Sequence, residues 1–219
     1  MRLLRIKVDG LPLYKDSFEV KFYAMQRVMD THLDSVSRLF GNIYINSAEA
    51  IIGINASGKT TALKVVSYVG ALLAAKPLNS VYLPSILADD KVTIFEIDYF
   101  SSNNIIRIIS EVICEKQQDG SKKTRILSEK VWVKPVTTKT NKSNLLDFQG
   151  IELFRERNNS EEYLSEDVSI TIALNRIFQD TISIADLRVL TDFNVFFPEG
   201  NSVASEIISL LDPTIEYIS

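Results

Sequence analysis

The chain has 219 residues, 46% hydrophobic and 24% charged, a composition that supports one substantial core, alone or with a smaller subdomain. Its 24 basic residues are outnumbered by 28 acidic ones, giving a net charge of −4, so it lacks the overall basic balance of a nucleic-acid-binding domain. The only cysteine, Cys114, and the only histidine exclude an intrachain disulfide and a structural zinc cluster, and they point to a reducing compartment.

The N-terminus, MRLLRIKVDG, lacks the long apolar run of a signal peptide, and the longest apolar segment, Val65 to Ala75, is too short to span a bilayer. A soluble, cytoplasmic protein with no membrane contact is expected. Leu4, Ile6 and Val8 alternate with Arg5 and Lys7, and Phe18, Val20 and Phe22 alternate with Glu19 and Lys21. Both runs read as half-buried strands, separated by turn signals at Asp9-Gly10 and Lys15-Asp16. Gln26 to Asn42 reads as polar and irregular. Ala48 to Ile54 reads as a short apolar strand that runs into glycine.

From Lys59 to about Ala75, Ala62, Val65, Val66, Val69, Leu72 and Leu73 recur at helical spacing, and Lys76-Pro77 ends the helix. Period two returns with Phe95, Ile97 and Tyr99, followed by SSNN, IIRIISEVI, a QQDGSKK turn and short strands near Ile126 and Val131 to Val133. Residues 92–134 are therefore expected to form an antiparallel β-subdomain. Residues 134–166 read as loop-rich. A helix is expected from Ser165 or Glu166 to Phe178, with Val168, Ile172 and Ile177 inward, and a second over Val203 to Leu211 before Asp212-Pro213. Alternation restarts at Ile215 and Tyr217. Cys114, in an apolar run, reads as a small buried hydrophobe.

The chemistry is concentrated between residues 53 and 61, where Gly53-Ile54-Asn55-Ala56-Ser57-Gly58-Lys59-Thr60 fits G-x-x-x-x-G-K-[ST] and Thr61 follows. Glycines free the backbone to curl its N–H groups around a phosphate at a helix N-terminus, where the dipole also favours negative charge. Lys59 is placed to reach the β- and γ-phosphates, and the Thr60 hydroxyl to coordinate magnesium. All nine residues are candidate cofactor contacts, the cofactors being ATP and Mg²⁺.

The string AIIGINASGKTTALKVV resembles the phosphate-binding segment of ABC-type ATPase heads, as in SMC, RecF and OLD-nuclease relatives, which carry G-x-N-x-S-G-K-[ST]. FEIDYF, ILSEKVWV and LLDPTIEYI are similar to the AbiL-like group of stand-alone bacterial AAA ATPases from phage-defence operons. The resemblance implies an α/β fold with α+β character: a single ATP-binding P-loop lobe over residues 1–219, flanked by the antiparallel subdomain. It also implies ATP-gated dimerisation, as a homodimer or with a partner protein, and an indirect link to nucleic acid. Ala56 departs from the glycine common in such loops, and Gly10-Leu11-Pro12 stands where relatives carry an Asn-Phe-Arg-like turn.

Hydrolysis in that family uses an apolar strand ending in Asp-Glu, a Leu-Ser-Gly-Gly-like signature and a switch histidine. No signature-like string follows the loop, and His32 precedes it. Three sites imitate the acidic strand end: Asp98 after TIFEI, Asp89-Asp90 after Ile86-Leu87-Ala88, and Asp212 after IISLL, which Pro213 follows. Gln149 and Gln179 are the candidates for a magnesium-contacting glutamine. The chain is accordingly expected to be the N-terminal lobe of a longer ATPase. A P-loop kinase or GTPase is the alternative, with Asn141-Lys142-Ser143-Asn144 the nearest string to Asn-Lys-x-Asp; a non-catalytic nucleotide sensor is another.

Overall fold

A computed structural model describes residues 1–53, 58–80, 86–157 and 164–181, of 30–32 the backbone alone. These residues form a mixed α+β structure around a six-stranded sheet. The strands are β1 (Arg2–Asp9), β2 (Phe18–Lys21), β5 (Val92–Ser101), β6 (Asn104–Lys116), β7 (Lys122–Pro135) and β8 (Leu153–Arg157), in the order β2-β1-β5-β6-β7-β8. Every neighbouring pair is antiparallel. A separate hairpin, β3 (Val36–Phe40) and β4 (Ile43–Asn46), and two helices, α1 (Lys59–Leu73) and α2 (Thr171–Phe178), complete the architecture. None of the described helices is long and apolar enough to cross a membrane.

Period-two alternation fixes the two faces of the sheet. On one face Ile6, Val8, Phe95, Ile97, Tyr99, Ile106 and Ile108 pack with Val65, Tyr68, Val69 and Leu72 of α1 and with Ile170 and Leu174 at α2. Tyr68 and Phe95 stack at 4.8 Å. On the other face Leu4 and Ile105 join Tyr23, Ile43 and Leu145 in a smaller cluster, beneath the hairpin and the loop after β7. Leu4 reaches that side because the β1–β5 register shifts between Leu3 and Arg5. At the end of β1, Gly10 has φ +90°, and a Cβ there would stand 2.7 Å from the Val92 carbonyl oxygen, so only glycine makes this turn unstrained.

Several expectations change. The strands over 92–135 are antiparallel, as expected, and continue into the same sheet as β1. Residues 48–53 form no strand, and Ile52 is 90% exposed. None of residues 48–53 is buried, so the run has no apolar face held against a sheet. Within the irregular stretch 26–42 lie a 3₁₀ turn, Asp30–Ser35, and β3. Helix α2 begins at Thr171, later than expected: Val168 N–H bonds the Ser165 carbonyl in a tighter turn and Ile170 N–H donates to the Glu129 carboxylate, not to a carbonyl of a preceding helical turn. Its buried positions are Thr171 and Leu174, whereas Ile172 and Ile177 are exposed and Val168 is half-buried. Cys114 is fully buried, as expected, and burial raises its thiol pKa.

Candidate functional site

Helix α1 follows the glycine-rich segment without a gap. Gly58 is its N-cap, with φ +87° and ψ 10°, and Lys59, Thr60 and Thr61 form the first turn. That left-handed conformation turns the chain from the loop into the helix and carries no Cβ penalty at glycine. The first turn contains no acidic residue, so the N–H groups of the helix start and the positive end of its dipole have no carboxylate from that turn. Ala62 N–H donates to Gly58 O at 2.9 Å, the first helical bond.

The Lys59 ammonium donates to the Gly53 carbonyl oxygen at 2.7 Å. One hydrogen bond thus joins the two ends of the loop. Thr60 is exposed beside it, with its hydroxyl on the same first turn. Ile54, Asn55, Ala56 and Ser57 lie outside the described residues.

A further residue belongs to this site. Tyr14, in the connection between β1 and β2, donates its hydroxyl to Gly58 O at 3.1 Å, and its ring pairs with Phe18 at 5.2 Å. A Cβ on Gly58 would meet the Tyr14 hydroxyl at 3.0 Å and Leu13 Cδ2 at 3.1 Å, so the second glycine of the motif also packs closely against this connection. Burial raises the Tyr14 pKa, which keeps its hydroxyl a donor. The sequence offered no signal for this contact, because Tyr14 and Gly58 are brought together by tertiary packing.

The acidic candidates are placed elsewhere or otherwise occupied. Asp98 is fully buried and faces away from α1, toward the small cluster: its oxygens accept from Arg5 Nε at 2.7 Å and from Arg107 Nε at 2.7 Å. Glu96 pairs with the same two arginines, and Arg107 also donates to Leu146 O at 2.9 Å and lies 4.3 Å from the Phe148 ring centroid. Burial raises the Asp98 pKa against the pull of Arg107 and Arg5; on Arg5, Asp98 and Glu96 outweigh desolvation and raise the guanidinium pKa. Asp98 is the centre of an ion network on the face opposite the loop's helix. The sequence reading missed this because TIFEID shows only that strand's own alternation.

Asp89 pairs with Lys122 of β7 at 2.6 Å, and Asp90 N–H donates to Cys114 O of β6 at 2.8 Å, so this pair fastens the segment before β5 to both strands. Gln149 is exposed in the loop before β8, its N–H held by Asp147 Oδ1 at 2.9 Å, and Gln179 is the left-handed C-cap of α2. His32 lies in the 3₁₀ turn, and Asp212 is outside the described residues. Of the residues singled out, Gly53, Gly58, Lys59, Thr60 and Thr61 are the ones brought together. No protein-family model matches the chain, and a search of curated proteins found no match.

Proposed function

We propose that the segment from Gly53 to Thr61 binds the phosphates of Mg-ATP, as the nucleotide-binding part of an ABC-type ATPase head. The observation that carries this reading is the Lys59 ammonium held across the loop on the Gly53 carbonyl, immediately after a left-handed Gly58 that opens α1. The Lys59 ammonium can exchange the Gly53 carbonyl for phosphate oxygens, gaining charge-assisted bonds. The loop and helix N–H groups and the dipole of α1 favour the same anion. Thr60, exposed on the first turn, would hold magnesium together with the phosphate oxygens, and the ion would offset the charge of the β- and γ-phosphates.

The GTPase alternative is less well supported. Asn141 Oδ1 accepts from Ser143 N–H at 2.9 Å and from Ser143 Oγ at 2.6 Å, so that side chain holds its own turn instead of presenting a free amide to guanine. Asp98 is committed to Arg5 and Arg107, which favours nucleotide binding with slow turnover by this chain and ATP-gated engagement of a second head or a partner protein. A role in phage defence or DNA transactions follows from the family resemblance alone. A reducing, cytoplasmic setting suits the single buried thiol.

Calorimetry of Mg-ATP against wild type and Lys59→Ala tests the reading. A charge-assisted contact contributes about 1.5–3 kcal/mol, so the variant is expected to bind roughly 10- to 150-fold more weakly. Equal affinity in the two proteins would overturn it.

A further inference from the structure

We propose that a cavity on another part of the surface, between the segment after Tyr23, the β3–β4 hairpin and the turn around Asn141, is a second ligand site that takes a nucleotide: a phosphate ester carrying a planar base. Its volume is about 620 Å³, the size of a small-molecule site. Arg27, Lys142, Tyr44, Asn42 and Asn141 are among its lining residues, and none of the lining residues is a carboxylate. In a chain of net charge −4, two cations at one hollow with no lining acid reverse the local sign. No residue of the phosphate loop lines it.

Arg27, Lys142, Tyr44 and Asn42 have capacity left for a ligand. Arg27 is exposed, and its guanidinium makes no hydrogen bond or ion pair with another described residue. Its planar fork of donors matches two phosphate oxygens at once. Lys142 gives one of its three N–H groups to the Gln26 carbonyl at 2.5 Å, leaving two. Tyr44 supplies an aromatic ring, and Asn42 an amide able to donate and accept at a base edge. Asn141 differs: its oxygen is occupied within its own turn, so it shapes the wall and does not read the ligand.

The walls are tied together without any ligand. Ala24 N–H donates to Tyr44 O at 2.9 Å, Tyr23 and Ile45 form an isolated antiparallel bridge, and Lys142 links the turn to the Gln26 backbone. Binding therefore does not have to order these segments first, which lowers its entropic cost. The ligand's chemistry is shared by a free mononucleotide and by the terminal nucleotide of a single strand.

The test uses the full chain carrying Lys59→Ala, so that the phosphate loop is silenced. AMP is titrated by calorimetry without magnesium, and a short 5′-phosphorylated, fluorescein-labelled oligonucleotide by anisotropy. AMP is expected to bind, and Arg27→Ala with Lys142→Ala to weaken it by roughly tenfold or more. Tyr44→Ala is expected to weaken it by roughly fivefold or more and Tyr44→Phe to leave it nearly unchanged, which separates loss of stacking from loss of the hydroxyl. AMP binding without oligonucleotide binding assigns the free nucleotide; tighter oligonucleotide binding, lost in the same variants, assigns the strand terminus. Arg27→Glu, an exposed change that leaves the core untouched, is expected to abolish binding of both. Failure of both probes to bind, or binding indifferent to the Arg27 and Lys142 changes, would overturn the proposal. Either result leaves the Mg-ATP reading standing, because that reading is measured at Lys59 in the unsilenced chain.

Discussion

Two carboxylates, Asp98 on β5 and Glu129 on β7, are both fully buried in the same sheet, yet their surroundings differ in kind. Asp98 faces the small cluster and is held by charge: Arg5 and Arg107 each bind it at 2.7 Å, and Glu96 completes the network. Glu129 faces the helices and is held mainly by neutral donors: Ser169 Oγ at 2.7 Å, Ser110 Oγ at 2.9 Å and the Ile170 N–H at 2.6 Å, with Arg157 farther away at 3.7 Å. Asp98 ties three strands, β1, β5 and β6, through their side chains. Glu129 caps the start of α2, whose N-cap Ile170 has no side-chain cap of its own. The contrast shows two ways to carry a carboxylate into a core, cationic partners or mainly neutral donors; burial raises the pKa of both, and the partners oppose it.

The sharpest way to break this contrast is Asp98→Asn. Removing one side of a buried ion pair leaves the other desolvated and unpaired, at a cost of about 3–5 kcal/mol. Glu96 still reaches both arginines, so the low end of that range is expected. Urea unfolding measures the loss. A change of less than about 1 kcal/mol would show that Glu96 alone balances the two guanidiniums.

A smaller effect is expected at the other site from Ser110→Ala. Losing one neutral hydrogen bond costs about 0.5–1.5 kcal/mol. The bond favours the ionised carboxylate, so the variant raises the Glu129 pKa further and loses more stability at neutral pH than in acid. Equal losses at both pH values would mean that the hydroxyl serves packing and not the charge.

Legibility in the sequence divides along similar lines. The G-x-x-x-x-G-K-[ST] motif could be read because Gly53, Gly58, Lys59 and Thr60 lie within one short segment, and α1 because its apolar stripe repeats along one segment. The alternation of β1, β5 and β6 was equally local, and Glu96 interrupts the apolar run of β5 because it belongs to the other face. Glu129 in SEKVWV reads as a surface charge. Only the approach of Ser110, Ser169 and Arg157 from three other segments makes it a buried cap. The β3–β4 hairpin was missed because SVSRLF and IYIN mix polar and apolar residues on a strand pair that covers a sheet without joining it. The Arg27, Tyr44 and Lys142 cavity was illegible because its walls come from distant parts of the chain.

The smallest expected change in acid, and the most specific dependence on pH, comes from Glu129→Gln. Burial raises the Glu129 pKa above its ordinary 4.5, opposed by the hydrogen bonds from Ser169, Ile170 and Ser110 and by Arg157. A carboxyl whose folded pKa is raised binds more protons in the folded state than in the unfolded one. Its stabilising contribution is therefore full below pH 4.5 and is lost as pH rises through the folded pKa. Glutamine keeps the shape of the protonated acid. Its carbonyl oxygen can accept from Ile170 N–H while its amide donates to Ser110 and Ser169, whose hydroxyls can accept. In acid the variant is expected to match wild type within about 1 kcal/mol, one neutral hydrogen bond being the scale of any mismatch. As pH rises from 4.5 through the folded pKa of Glu129, the wild-type curve falls more steeply than the variant's, in which Asp98 still titrates, so the two diverge with the variant more stable. Urea midpoints measured at several pH values from acid to neutral read this directly. A glutamine variant that loses stability steadily as pH rises, in parallel with wild type, would show that another group, such as Asp98 with its own raised pKa, carries the pH dependence and that Glu129 is ionised at no net cost.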